Sequence, residues 1–156
     1  MKPVRAIRCL TFAATLAAAV LLPAAVVSAA VYVADAQSPA ASDDNPGSEA
    51  KPFKTIAAAV KVAKAGDTVC VMAGDYAERV KLTASGAAGQ PLVLKSLPPH
   101  AATMRGFDTG GQSYLRIEGF HVVSDNPADR TPGIALTGAG QGIEVVSNFV
   151  EGMYMG

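Results

Sequence analysis

The chain has 156 residues, 50% of them hydrophobic, and its 13 Lys+Arg balance 13 Asp+Glu. That length supports one domain with its own core. The even charge balance excludes the concentrated basic face that nucleic-acid binding requires, and the 2 cysteines exclude a dense disulfide framework.

Charge at the amino terminus is confined to Lys2, Arg5 and Arg8, and none follows until Asp35, with small residues at Val27-Ser28-Ala29-Ala30. A basic start, an apolar stretch and a small-residue site form the pattern of a secretory signal peptide, so residues 1–30 are read as a leader cleaved after Ala29 or Ala30. The competing reading is a retained anchor, because the uncharged run from Cys9 to Ala34 is 26 residues long and could span a bilayer. Pro23 and the small-residue site favour removal, and Cys9 has no lipidation box before it. Cleavage implies a secreted or periplasmic chain without membrane association, carrying 10 Lys+Arg (13 − 3) against 13 Asp+Glu. Cys70 is then the remaining cysteine and, flanked by Val69 and Val71, is read as a small core residue.

Residues 31–68 are expected to form a leading strand, a loop and a helix. Val31 to Val33 is a short apolar strand, and Asp35 to Lys54, with Pro39, Pro46, Gly47 and Pro52, is a polar loop. Thr55 is a candidate N-cap, Ile56, Ala59, Val60 and Ala63 recur at helical spacing, and Gly66 supplies the stop. Lys61 and Lys64 lie off that stripe, so the helix has one face to bury. So short a helix depends on what it covers.

Four segments then align without gaps: VCVMA from Val69, LVLKS from Leu92, LRIEG from Leu115 and IEVVS from Ile143. Their spacings are 23 (92 − 69), 23 (115 − 92) and 28 (143 − 115) residues. Apolar residues two apart in each segment mean that one face of each strand points inward. AGDY, SGAAGQP, LPPH, DTGGQS and SDNPADRTPG read as turns between them, and GIALTG from Gly133 as a further strand. An antiparallel sandwich does not require such in-phase recurrence, so residues 69–156 are expected to form a solenoid. Val71, Leu94, Ile117 and Val145 should then stack on one another inside it. Asn148 suits either the inside of a turn or an exposed loop.

NPGSEAKPFKTIAAAVKVAKAGDTVCVMAGDY, followed by SGAAGQPLVLKSLPP and YLRIEGFHV, resembles the amino-terminal end of secreted right-handed parallel β-helix proteins, the group that includes pectate lyases and related polysaccharide lyases. The resemblance runs from about Val31 to Val150. It implies an all-β fold, a right-handed parallel β-helix, whose amino-terminal helix caps the open end of the first coil. It further implies an acidic polysaccharide partner and β-elimination at a uronic acid. There, a calcium ion held by several carboxylates neutralises the sugar carboxylate, and a Lys or Arg removes the C5 proton.

The chain offers few residues for that chemistry. Asp125, Asp129 and Arg130, in SDNPADRTPG, are metal or substrate candidates, weighed against an ordinary solvated turn. Asp43, Asp44 and Asn45 lack the oxygen spacing of a loop-type calcium site and are read as a structural lead-in. His121 on the outward side of its strand and His100 in a proline turn have no evident carboxylate or cysteine partner and are read as surface residues. LTGAGQG lacks a following helix and a Lys-Ser/Thr, so it is a turn and not a phosphate loop. Phe107, Tyr114, Phe120, Phe149 and Tyr154 mostly suit turn or core positions.

The resemblance implies that the catalytic and calcium residues lie on later coils than this chain contains, so none is assigned here; calcium is expected of the full-length protein and is not assignable to residues of this chain. EGMYMG closes the chain without a capping element, which suggests a truncated frame and self-association through an open last coil. Two function classes follow: the first part of a secreted uronan lyase, inactive as this fragment, or a non-catalytic β-helix that binds carbohydrate or adheres to surfaces.

Overall fold

The computed structural model describes residues 28–124 and 131–152. Asp125, Asp129, Arg130, Tyr154 and most of the leader lie outside them. Strand β1 (Val31–Ala34) pairs with β2 (Thr68–Lys81), and β2 pairs with β3 (Leu92–Asp108). On β3 lie β4 (Leu115–Glu118), β5 (His121–Val123) and β6 (Ile134–Ala135). β7 (Glu144–Val146) follows on β4, and β8 (Phe149–Glu151) on β5. All these pairings are parallel.

The ladder between β2 and β3 shifts register twice, at Met72/Gly74 and at Tyr76/Arg79. At each shift the strand bends, so one long strand turns two corners and contributes three straight runs to its coil. The runs stack into three faces. Face A holds β1, residues 68–72 and 92–97, β4 and β7; face B holds 74–76, 102–104, β5 and β8; face C holds 79–81, 106–108 and β6. The architecture is a parallel β-helix. AGDY and LPPH, expected as turns between strands, lie inside β2 and β3. They form corners, but the neighbouring coil turns with them and the hydrogen-bond ladder continues.

The core is the inside of this coil. Val69, Leu94 and Ile117 from face A, Met104 and Val122 from face B, and Val80 and Phe107 from face C are each 0% exposed. The Phe107 and Phe120 rings meet edge to face with centroids 4.9 Å apart, a geometry favoured by the ring quadrupoles.

Register departs from the sequence expectation at its first step. Leu94 lies on Val69, and Val71 lies on Ser96, so the column is Val69, Leu94, Ile117 and Val145. A slip of two residues keeps the same side chains inward, so alternation alone cannot distinguish the two registers. Ser96 tolerates the interior because its hydroxyl donates to the Pro98 carbonyl at 2.7 Å and accepts the Ala102 N–H at 3.0 Å. Val145 takes its expected level but is 44% exposed, since no described coil lies above it.

The helix α1 (Ile56–Val62) buries Ile56, Ala59 and Val60 in the same core cluster as Val69 and Val71, and so lies over the first coil as a lid. Its amino end is held from three sides. Thr55 Oγ1 accepts the Ala58 N–H at 3.1 Å, Asp43 accepts from the Lys54 and Thr55 N–H groups, and Glu78 accepts from Ile56 and Ala57 at 2.8 and 3.1 Å. Carboxylates at this end satisfy otherwise orphaned donors and complement the helix dipole. The stop comes earlier than Gly66: Ala63 is already extended (φ −68, ψ 147), and Gly66, at φ +86, lies in the turn beyond. Asp43 and Asn45 are structural, as expected. Asn45 Nδ2 donates to the Ala40 and Pro52 carbonyls at 2.7 and 2.9 Å, closing the loop. Asn148 sits inside a turn, where Oδ1 accepts the Phe120 N–H and Nδ2 donates to the Ile117 carbonyl. Among the described residues no helix is long and apolar enough to cross a membrane.

Candidate functional site

Face A presents a flat outer surface because its inward positions are fixed by Val69, Leu94 and Ile117. The residues between them must face outward. One outer row is Cys70, Lys95, Glu118 and Val146, and the other is Thr68, Val93, Arg116 and Glu144. Cys70 is buried as expected, but it lies outside the main core cluster. Its flanking valines occupy the inner face, and alternation sends the thiol outward, where the leading loop covers it to 8% exposure. Burial pushes the thiol pKa up, and Lys95 opposes this more weakly. A thiol held protonated in this way is a poor nucleophile.

A groove of about 480 Å³ runs beside this surface, lined by Val33, Asp35, Glu49, Cys70, Met72 and Leu97. A second of about 380 Å³ shares Asp35, Met72 and Leu97 and extends along Gln37, Ser38 and Pro98. The loop after β1 forms one wall, and the corners of the first two coils form the other. Lower on the face, Arg116 is forked between Glu118 (2.8 Å) and Glu144 (2.6 Å). These hydrogen bonds, that to Glu118 foremost, hold the guanidinium even more firmly charged than usual. Among the described residues Lys95 forms no ion pair. The face thus offers one uncommitted cation beside a fork of opposite charges.

Face B corrects the reading of His121. It faces outward as expected, but Nε2 lies 2.8 Å from Glu151 and Nδ1 lies 3.4 Å from Thr103 Oγ1. Phe149 stacks on the imidazole at 5.1 Å and is 51% exposed, not in a turn or the core. Glu151 is distant in sequence and reaches His121 only because β8 lies on β5 with Phe149 opposite His121. Extending the 28-residue interval to the next strand could have revealed the pair. His100 Nε2 lies 2.6 Å from the Ser147 carbonyl and so ties two corners together.

On face C, Asp108 accepts hydrogen bonds from the Thr137 hydroxyl and from the Gly110 N–H at 2.9 Å. These bonds, the hydroxyl first, hold its pKa below the usual carboxylate value. A depressed carboxylate contributes stability above its unfolded pKa and loses it as pH falls through the folded one. Thr137→Ala is expected to move the Asp108 titration upward, followed by carboxyl carbon NMR shifts. An unmoved titration would remove the hydroxyl as the cause.

The metal or substrate candidates of the sequence, Asp125, Asp129 and Arg130, are not among the residues the structure describes. Among those described no three His, Cys, Asp or Glu side chains are close enough to share a metal ion.

The chain is 28% identical over 131 residues to an uncharacterized protein, YwoF, of Bacillus subtilis (strain 168), covering 74% of this chain. A solved rhamnogalacturonan lyase is similar over 60% of the chain at 26% identity, with a TM-score of 0.48. The chain spans 28% of the length of each of these two proteins. The model of a family described as protein of unknown function (DUF1565) matches residues 40–147. The chain belongs to that family, and it carries its match on the loop, lid and coils of a parallel β-helix.

Proposed function

We propose that this chain is the amino-terminal part of a polysaccharide-active β-helix protein of the calcium-dependent uronan lyase kind, and that its described coils bind the glycan without cutting it. The observation that carries this reading is the outer surface of face A, where Lys95, without an ion pair among the described residues, stands beside Arg116 and a groove borders the face. A uronan presents a carboxylate on every sugar, and two strand-backed cations, Lys95 and Arg116 in adjacent rows on rigid support, suit contact with such an anion. Under this reading the calcium ligands and the base for the C5 proton belong to other coils of a longer protein.

The test uses polygalacturonate and alginate oligosaccharides in calorimetric titration. Combined Lys95→Ala and Arg116→Ala is expected to weaken binding at least about tenfold, the scale of a lost charge-assisted contact. Equal affinity of the variant would overturn the assignment of face A. With millimolar calcium the chain alone should produce no rise in the ultraviolet absorbance of unsaturated product. Calcium-dependent turnover, abolished by chelation and restored by calcium, would show that the catalytic groups are on this chain after all.

A second reading, a non-catalytic carbohydrate-binding or surface-adhesive β-helix, is favoured by Phe149, half exposed and stacked on His121 as a platform for a sugar ring. Weaker glycan binding by Phe149→Ala with no effect of the face A variant would select it.

The coil end supports self-association as a further part of the proposal. Leu136, Val145 and Val150 are 59%, 44% and 44% exposed there, alongside edges of β7 and β8 that pair with no further strand among the described residues. Burying such an edge against a second copy removes its unpaired backbone groups from water. Val145→Lys with Val150→Lys is expected to shift the sedimentation profile toward monomer, and an unchanged profile would exclude this end as the interface.

A further inference from the structure

Asp67 is a buried carboxylate that lacks a cationic partner among the described residues. Its residue is 4% exposed, Oδ2 accepts the Lys64 N–H at 2.8 Å, and Oδ1 accepts the Ala30 N–H at 2.8 Å. Among the described residues no Lys, Arg or His forms an ion pair with it. Withdrawing an ionised carboxylate from water is costly unless a positive charge compensates it. Ala30 is also held through its carbonyl, which accepts the Thr68 N–H at 2.9 Å and begins the ladder of face A. Ser28 and Ala29, just before it, are exposed.

We infer that Ala30 is the first residue of the processed chain, and that Asp67 is a socket for its α-ammonium group. This rests on the reading of the preceding residues as a leader. Sequence allowed cleavage after Ala29 or after Ala30, and the hydrogen bonds distinguish the two. Loss of Ala30 strips both Asp67 Oδ1 and the Thr68 N–H of their partners. Hydrolysis of the Ala29–Ala30 peptide bond by a leader peptidase consumes one water, leaves a carboxylate on Ala29 and leaves an ammonium on Ala30. The new charge forms on the nitrogen already 2.8 Å from Oδ1. An amide hydrogen bond thereby becomes a charge-assisted one, and the buried carboxylate gains its counterion. The Lys64 N–H in the turn after α1 is the other donor to this carboxylate among the described residues, so the turn and the new terminus share it.

Two measurements test this. In the first, the full chain is produced with its own leader in an exporting bacterial host, and the product is weighed intact and sequenced from its amino end. A product beginning at Ala30 is expected. One beginning at Val31 overturns the socket, and one retaining the earlier residues overturns the leader reading as well. In the second, chains beginning at Ala30 and at Val31 are compared, each with and without Asp67→Asn. Removing Ala30 should lower the melting temperature by about 4 °C when Asp67 is present and by about 1 °C or less in the Asp67→Asn background. Equal losses in both backgrounds overturn the pairing. Should Asp67→Asn not fold, acetylating the Ala30 amine separates ammonium from amide. A fall of about 2 °C or more supports the socket, and no change overturns it.

Discussion

Ile56→Asp is expected to lower the melting temperature by about 15 °C or more. Ile56 is 0% exposed and lies in one cluster with Val69 and Val71, so the substitution places a charge between the lid and the first coil. The new charge meets like charges at this end of the helix, where Glu78 accepts the Ile56 N–H and Asp43 the Thr55 N–H. Two effects add: loss of the apolar contact and burial of an unpaired charge, together about 4 kcal/mol or more. The measurement is thermal unfolding by circular dichroism. Since α1 has only 7 residues and is held by tertiary contacts, its release should appear as earlier cleavage in limited proteolysis near Lys61 and Lys64. A melting temperature within a degree or two of the parent would mean that the helix is not a lid.

Phe107→Ala is expected to destabilise by about 3–5 kcal/mol, the range for removing a fully buried aromatic ring. Phe107 is 0% exposed, stacks on Ile134 through face C and meets Phe120 edge to face. The coil cannot collapse onto the space, because its backbone is fixed by ladders above and below. Most of the cavity should persist. Phe149→Ala is the control. That ring is half exposed and stacks on His121 alone among aromatic partners described, so its loss should cost about 1 kcal/mol or less. Urea midpoints measure both, and similar losses for the two variants would contradict the inside and outside assigned to these strands.

Much of the candidate site was legible once the strands were placed, but not before. Alternation sends Cys70 outward with Lys95 and Glu118, so its burial comes from outside the coil and not from the valines beside it. Local composition misleads where period-two geometry decides. Arg116 with Glu118 is visible as a pair two residues apart on one face, whereas Glu144 joins them through the pairing of β7 with β4. Glu151 reaches His121 in the same way. The groove was not legible at all, since it depends on how the loop after β1 lies against the corners at Met72 and Leu97.

By itself, the sequence determined that the protein is a coil of strands under a lid. Recurrent apolar pairs at in-phase positions can bury their inward faces only by stacking, and the stripe from Ile56 to Ala63 can be satisfied only over such a stack. It also determined which strand faces point inward, because that property has a period of two and survives any even slip. Tertiary structure alone decided the register of the first step, where Leu94 settles on Val69 and Ser96 on Val71. Both alternatives bury the same kind of surface, and the difference is which backbone donors meet acceptors, as where the Val93 N–H donates to the Asp67 carbonyl. It likewise decided that AGDY and LPPH are corners within continuous strands. A hydrogen-bond ladder is a property of two neighbouring coils, and no single segment encodes where its partner will bend.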